Sequence, residues 1–224
     1  MDVHLKSSRP TTDSPIDAGV FSLWLSSIRD VFKDKCDALV SCGTCTACCA
    51  SSQFIHIFAH ETDAISRIPE KLLYPAPLLP QGTLLLGYDE KGRCPLLRRA
   101  RCSIYDHRPL TCRSYDCRIF TAAGLSPDRD EKGLISARVR AWRFRYPTKR
   151  DRDLQAAVKA AAKFIESHSE CFPEEKRSHS SAQTAVLAVR AYEVFLDKKI
   201  TSAHNGRAAQ DSATTTAIIN ILNK

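Results

Sequence analysis

No stretch of this 224-residue chain approaches the roughly 20 apolar residues that a membrane-crossing helix needs, so a transmembrane span is not expected. The first 17 residues are polar and carry Pro10 and Pro15, and they lack the apolar segment of a secretory signal. No phosphate-binding loop, Ser-His-Asp arrangement or paired catalytic carboxylates stand out, which leaves no hydrolase or nucleotide-binding signature to follow. With no export signal, the expected compartment is the cytoplasm. There disulfides are rare, and that decides how the most conspicuous feature, ten cysteines, is read. Clustered thiols in a reducing compartment hold metal or react.

Eight of the ten fall in two groups. The first is Cys42-x2-Cys45-x2-Cys48-Cys49, and the second is Cys94-x7-Cys102-x9-Cys112-x4-Cys117. A thiolate is a soft, strongly binding ligand, and four of them complete the shell of a zinc ion or an iron–sulfur cluster. The first group has the Cys-x2-Cys knuckle spacing of zinc sites, but the wider gaps of the second do not follow that pattern. Cys42, Cys45 and Cys48 also match the three-corner run of a bacterial ferredoxin, with vicinal Cys49 where the ferredoxin continues differently. Adjacent side chains diverge, so Cys48 and Cys49 can serve different centres. The expected cofactor is an iron–sulfur cluster, with zinc as the alternative, and the partition of ligands between centres stays open. Cys36 and Cys171 read as free thiols. His56, His60 and His107 lie near enough in sequence to ligate but read as ordinary surface or hydrogen-bonded histidines.

The formal charge of +8 and pI near 9.0 invite a nucleic-acid reading. Eight metal-bound thiolates would cancel that charge before the metal's own is counted. Much of the excess sits beside the cysteines, as Lys91, Arg93, Arg98, Arg99, Arg101, Arg108, Arg113 and Arg118 against Asp106 and Asp116. Charge balance at the cluster is the simpler explanation. Arg108 and Arg113 are expected to donate N–H bonds to sulfur and so tune the bound metal. In 138–146, Arg138, Arg140, Arg143 and Arg145 interleave with Trp142, Phe144 and Tyr146, which a nucleic-acid strand could use. An amphipathic strand with a buried aromatic face is the preferred reading, and a nucleic-acid partner is not expected.

Three motifs occur in order: the Cys-x2-Cys-x2-Cys-Cys run, Cys94-Pro95-Leu96-Leu97, and Cys102-Ser103-Ile104-Tyr105 followed by Arg108-Pro109 and Cys112-Arg113. Over roughly residues 36–120 the chain resembles the YkgJ-type cysteine-cluster family. That resemblance implies a zinc- or iron-chelating domain, often described as an iron–sulfur-cluster-containing protein. Cys117, within Tyr115-Asp116-Cys117-Arg118, is similar to one branch of the family. More distantly the chain resembles flagellin lysine N-methylases with such a cluster. It lacks a glycine-rich loop for S-adenosylmethionine, and the Cys-x3-Cys-x2-Cys run of the radical enzymes that use it.

Periodicity predicts a helix over 21–32 with Asp17 as its cap, a short buried strand at 54–58, and a helical turn from Thr62 or Asp63. A hairpin is expected from 83–88 through Asp89-Glu90-Lys91-Gly92 to 93–97, and a bulged strand over 135–146. Helices over 151–168 and 181–199 follow. The expected fold is small α+β: a cysteine-rich, metal-organised loop core with a few short strands, packed by N-terminal and C-terminal helices. Its organisation reads as a flexible polar arm (1–18), one metal-binding domain (19–200; cysteine core about 36–120, helical part about 148–200) and a polar tail (201–224) with a short apolar end. Function follows as metal binding in redox transfer, metal handling or a metal-organised interaction with a protein or redox partner. The alternatives are a metal-dependent, methylase-like protein-modifying enzyme, or a nucleic-acid module with structural zinc.

Overall fold

A computed structural model describes residues 14–33, 37–38, 40, 44–76, 79–128, 130, 132–196 and 207–223. Helix α1 (Phe21–Val31) buries Phe21, Trp24, Leu25, Ile28 and Val31, the spacing of one helical face. It grows directly out of strand β1 (Ile16–Val20), so the polar arm ends before Ile16 rather than at residue 18. Val20, not Asp17, occupies the cap position. Asp17 instead accepts a hydrogen bond from the Gly19 amide (2.8 Å) and pairs with Arg145 (3.2 Å).

The 135–146 segment is not one strand. Residues Leu134–Ala141 form a helix and Trp142–Arg145 a strand that lies parallel to β1, with Ile16 opposite Trp142. The phase change at Trp142 is therefore a helix-to-strand boundary, where sequence alone suggested a bulge. Within the strand, Trp142 and Phe144 point into the core while Arg143 and Arg145 face outward, the alternation expected of a half-buried strand.

The main core is helical. The 118–123 helix (Arg118–Ala123), the long Lys149–Ser167 helix and the Ser181–Ala191 helix pack against one another and on α1. Ala157, Ala161 and Ala162 of the long helix, with Ala185 and Ala188 of the next, are almost wholly buried. Small side chains at these positions let the two axes approach closely. The 201–224 segment, expected as a polar tail, ends in a helix (Arg207–Leu222) that buries Ile218 and Leu222 in the same core. Its apolar residues are a packing face, and burial of that face supplies the helical stability that composition did not indicate.

The long helix begins with a capping box, in which Thr148 accepts from the Asp151 amide and Asp151 accepts from the Thr148 amide. The Asp151 carboxylate also accepts from the Ser22 amide of α1 (3.0 Å), tying two helices whose residues are far apart in sequence. Hydrogen bonds from Ser22 and then Thr148 hold this carboxyl well below the usual carboxylate range. A carboxyl whose folded value is depressed contributes stability at pH above its unfolded value, near 3.8, and loses it as pH falls toward the folded value. Asp151→Asn is accordingly expected to lower the melting temperature at neutral pH and to flatten its decline in acid. A series of thermal melts from neutral pH into acid measures both. An acid limb as steep as wild type would disprove the assignment.

The cysteine-bearing part has its own small apolar cluster of Ile57, Ile68, Leu86, Leu96 and Ile104. Strands at Ile55–Ile57, Leu73–Pro75 and Leu84–Leu86 make an antiparallel sheet, with Leu84–Leu86 in the centre. The 54–58 strand is buried only at Ile57, since Phe54 and His56 are exposed. The predicted 83–97 hairpin is half right. The turn forms, with Asp89 and Arg93 bonded through backbone (2.8 Å) and the Asp89 side chain accepting from the Lys91 and Arg93 amides. Its two arms do not pair with each other. The 84–86 arm joins the three-stranded sheet, and the other runs on into a separate two-stranded hairpin, Leu97–Arg98 against Arg101–Cys102. Helices Thr62–Arg67 and Leu110–Ser114 complete this part, and the whole is a small α+β fold.

Candidate metal centre

Cys48 and Cys49 open a single 3₁₀ turn, Cys48–Ala50, with Cys45 half-buried in the loop before it. Hydrogen bonding between the two side chains draws the Cys48 thiol down to about 7 and pushes that of Cys49 up. The Cys94 amide donates to the Cys49 carbonyl (2.7 Å), joining the first cysteine of one sequence group to the last of the other. In the two-stranded hairpin Cys102 lies opposite Leu97, which folds it back toward Cys94.

Cys112 comes from the Leu110–Ser114 helix, whose position is set from outside. Its first amide, from Leu110, donates to the Glu61 carboxylate (2.5 Å), and Thr111 Oγ1 donates to the His56 carbonyl (2.7 Å). Burial pushes the Cys112 thiol up to about 12, and the neighbouring charges of Cys94, Cys48 and Cys102 push the same way. Cys94 is raised first by burial and also by Cys102. Cys48, Cys49, Cys94, Cys102 and Cys112 thus lie within electrostatic reach of one another, drawn from three separate stretches of chain. Cys49, Cys94 and Cys112 resist ionisation, and a bound cation would relieve that.

Among the described residues no three ligating side chains converge closely enough to hold an ion as they stand. Ligation by these thiols requires their deprotonation. The donor set is all sulfur, which suits zinc or an iron–sulfur cluster and not a hard cation such as magnesium.

Cys117 has different surroundings. It is buried in the main helical core, and its Sγ accepts from Trp142 Nε1 (3.1 Å). Tyr115 connects the two environments. Its phenol is pushed up by burial, then by the charges of Cys117 and Cys48. Cys42 and Cys36 lie outside the described residues, and Cys171 is exposed on the helical side.

The arginines depart from expectation. The Arg108 Nε donates to the Tyr105 carbonyl (2.7 Å) and its guanidinium lies 3.8 Å over the Tyr105 ring, while its charge favours the thiolates of Cys48 and Cys112. Arg113 is taken up by the Arg108 carbonyl (2.9 Å) and by Asp37 (2.5 Å). Among the described residues neither guanidinium hydrogen-bonds a sulfur. Arg108 acts through its field, and Arg113 braces the loop that carries Arg108. His107 is held by Asp63 (2.6 Å), His60 stacks on Phe58, and His56 is exposed.

Lys132 carries no local sequence signal, yet its Nζ donates to the Ala50 carbonyl (3.0 Å) and to that of Lys91, closing the cysteine turn onto the 89–92 turn. Gly92 sits beneath it with φ +65°, where a Cβ would lie 2.1 Å from Ser52 Oγ and 2.5 Å from Lys132 Nζ. Only glycine fits. Asp130 was likewise missed. Its carboxylate accepts from the Leu134 and Ser136 amides, starting the 134–141 helix beside Ser51.

A cleft of about 260 Å³ opens beside Tyr115, between Gln53 and Asp128 on one side and His179 and Gln183 on the other. Among the described residues no helix is long and apolar enough to cross a membrane.

A small α+β unit in which thiols from separate loops gather beside a helical core is the architecture of a metal-chelating module. Residues 41–132 match the CxxCxxCC family, whose description reads "Putative zinc- or iron-chelating domain". Over that span the chain is similar to this cysteine-cluster family, and the match ends at Lys132, the residue whose side chain closes on the cysteine turn. No curated protein and no solved structure matches the chain.

Proposed function

We propose that this protein is a cytoplasmic iron–sulfur protein, with zinc as the alternative occupant, in which Cys42, Cys45, Cys48, Cys49, Cys94, Cys102, Cys112 and Cys117 supply the thiolates. The observation that carries the reading is the gathering of Cys48, Cys49, Cys94, Cys102 and Cys112 into one mutually interacting group with Arg108 beside it. Eight thiolates are enough for two four-ligand centres. The separate setting of Cys117 beside Trp142 favours two centres over one. When bound, an iron–sulfur cluster supplies one-electron transfer; zinc would supply structure. The chain's own part is to hold the sulfurs, keep water from the buried ones, and bias Cys48 and Cys112 toward thiolate through Arg108. A thiolate site of this kind operates where thiols stay reduced, which is why the cytoplasm fits.

Elemental analysis with electron paramagnetic resonance on anaerobically purified protein tests the reading. Brown protein containing iron and acid-labile sulfide, with a cluster signal on reduction, is the expected result. Colourless protein loaded with zinc would remove the iron–sulfur assignment and keep the thiolate site. Protein with neither metal would remove both.

The cleft beside Tyr115 favours a second reading, a metal-dependent enzyme that modifies a protein or small molecule. It predicts that a bulky substitution at Ala182, on the cleft wall, abolishes a turnover activity while leaving metal content intact.

A further inference from the structure

The two-stranded hairpin between Cys94 and Cys102 is built against its own stability. Arg98 and Arg101 face each other directly across the strands, and Arg99 stands at the turn between them. Like charges in a cross-strand pair repel. The turn itself places Arg99 and Ala100 in the left-handed region, at φ +48° and +60°. Two successive positive φ values define the tight hairpin turn that sequences ordinarily fill with Asn-Gly or Gly-Gly, because a Cβ is disfavoured there. Neither residue here is glycine or asparagine.

Among the described residues no ion pair offsets the charge. Arg98, Arg99 and Arg101 are all exposed. Among the described residues no carboxylate forms an ion pair with any of them, whereas Arg67, Arg93, Arg113 and Arg118 each have an aspartate. The arginine that acts on Cys48 and Cys112 is a different one, Arg108. Three residues beyond Cys102, Tyr105 is exposed under the Arg108 guanidinium, adding the aromatic and arginine contacts in which interfaces are enriched.

We propose that the Arg98–Arg101 hairpin is a docking element for an acidic protein surface, which it brings against the rim of the cysteine site. The charge complementarity is local rather than extended. Asp89 lies close enough to act on Cys94, and Asp63 pairs with His107, so carboxylates interrupt the basic track a nucleic-acid backbone would follow. A compact acidic patch fits three clustered guanidiniums, each able to hold a carboxylate through two N–H groups. The inference rests on the metal reading only for what passes between the partners, electrons or metal. The docking itself does not need it.

The test uses the full chain as purified, with metal content measured on every sample. A fluorescent short polyglutamate peptide is titrated by anisotropy at low and moderate salt, and single-stranded DNA of equal charge is titrated in parallel. The triple variant Arg98→Ala, Arg99→Ala, Arg101→Ala is expected to weaken peptide binding by at least about tenfold with metal content unchanged. A control triple, Arg140→Ala, Arg150→Ala, Lys163→Ala, removes the same charge from exposed positions elsewhere and is expected to leave binding within about twofold of wild type. Equal loss in both triples would overturn the proposal by showing that only net charge matters, and no loss in the first would overturn it by showing that the peptide binds elsewhere. No peptide binding by wild type at low salt would also overturn it, and tighter, hairpin-dependent DNA binding would replace the acidic protein with nucleic acid. If the purified chain holds no metal yet the hairpin binds as expected, the metal reading falls and the docking surface stands.

Discussion

Stripping the metal with a chelator is expected to unfold the segment around the thiols while the helical half stays folded. The apolar cluster of the cysteine-bearing part has five buried side chains, Ile57, Ile68, Leu86, Leu96 and Ile104, with Cys94 and Cys102 packed on their edge. A core that small does not hold several loops and five short strands in place unaided. A bound structural metal contributes on the order of 10 kcal/mol in small thiolate domains, comparable to the whole stability of an ordinary domain. The helical half does not share this dependence, because its core of Phe21, Trp24, Val158, Ile165, Val189 and their neighbours is large and lacks described metal-site residues other than Cys117. Hydrogen exchange followed by mass spectrometry should show residues 44–114 losing protection on chelation, while the 149–167 and 181–191 helices keep theirs. Cys112→Ser should produce the same pattern without chelator, since it removes a proposed ligand on which Cys94, Cys48 and Cys102 all act. Protection retained throughout the chain after complete metal removal would show that the thiol cluster is not a folding element.

The second large effect is expected at Asp116. Its carboxylate is buried, accepts from Trp24 Nε1 (2.8 Å) and holds the Arg118 guanidinium through Nη2 (2.7 Å) and Nε. Arg118 in turn donates to the Ala18 carbonyl of β1 (3.2 Å) and lies by the Trp142 ring. One carboxylate thus joins α1, β1, the Trp142–Arg145 strand and the 118–123 helix beside Cys117. Asp116→Ala leaves a largely buried guanidinium without its carboxylate and a buried indole N–H without its acceptor. Breaking a buried pair on one side costs about 3–5 kcal/mol, chiefly because the remaining charge stays desolvated. Urea unfolding should register that loss as a lower midpoint with an unchanged slope. Asp116→Asn keeps an acceptor for Trp24 but not the charge, and should fall between the two. A loss under about 1 kcal/mol for the alanine variant would mean that solvent reaches Arg118 readily.

Spacing alone was enough to single out the eight cysteines, because metal ligation constrains residue type and local gaps directly. The amphipathic faces of α1 and of the 149–167 and 181–191 helices were legible for a related reason. A period of 3.6 is written within a few turns of one helix. Reading failed where the partner was distant. The 134–146 stretch alternates like a strand, and only β1, more than a hundred residues earlier, decides that pairing begins at Trp142. The arginines beside the cysteines looked alike in composition, yet one acts on the thiols, one braces Asp37, one is buried on Asp116 and three stand exposed at a hairpin tip.

What the sequence by itself determined is the grouping of eight cysteines into two sets, and the helical scaffold beside them. Only the tertiary structure decided which thiols gather, that Cys117 lies against Trp142, and that Lys132 and Gly92 lock the cysteine turn. The reason is physical. Side-chain chemistry and local periodicity belong to short segments, whereas the meeting of thiols and the direction of a charge depend on contacts between segments that neither one encodes alone.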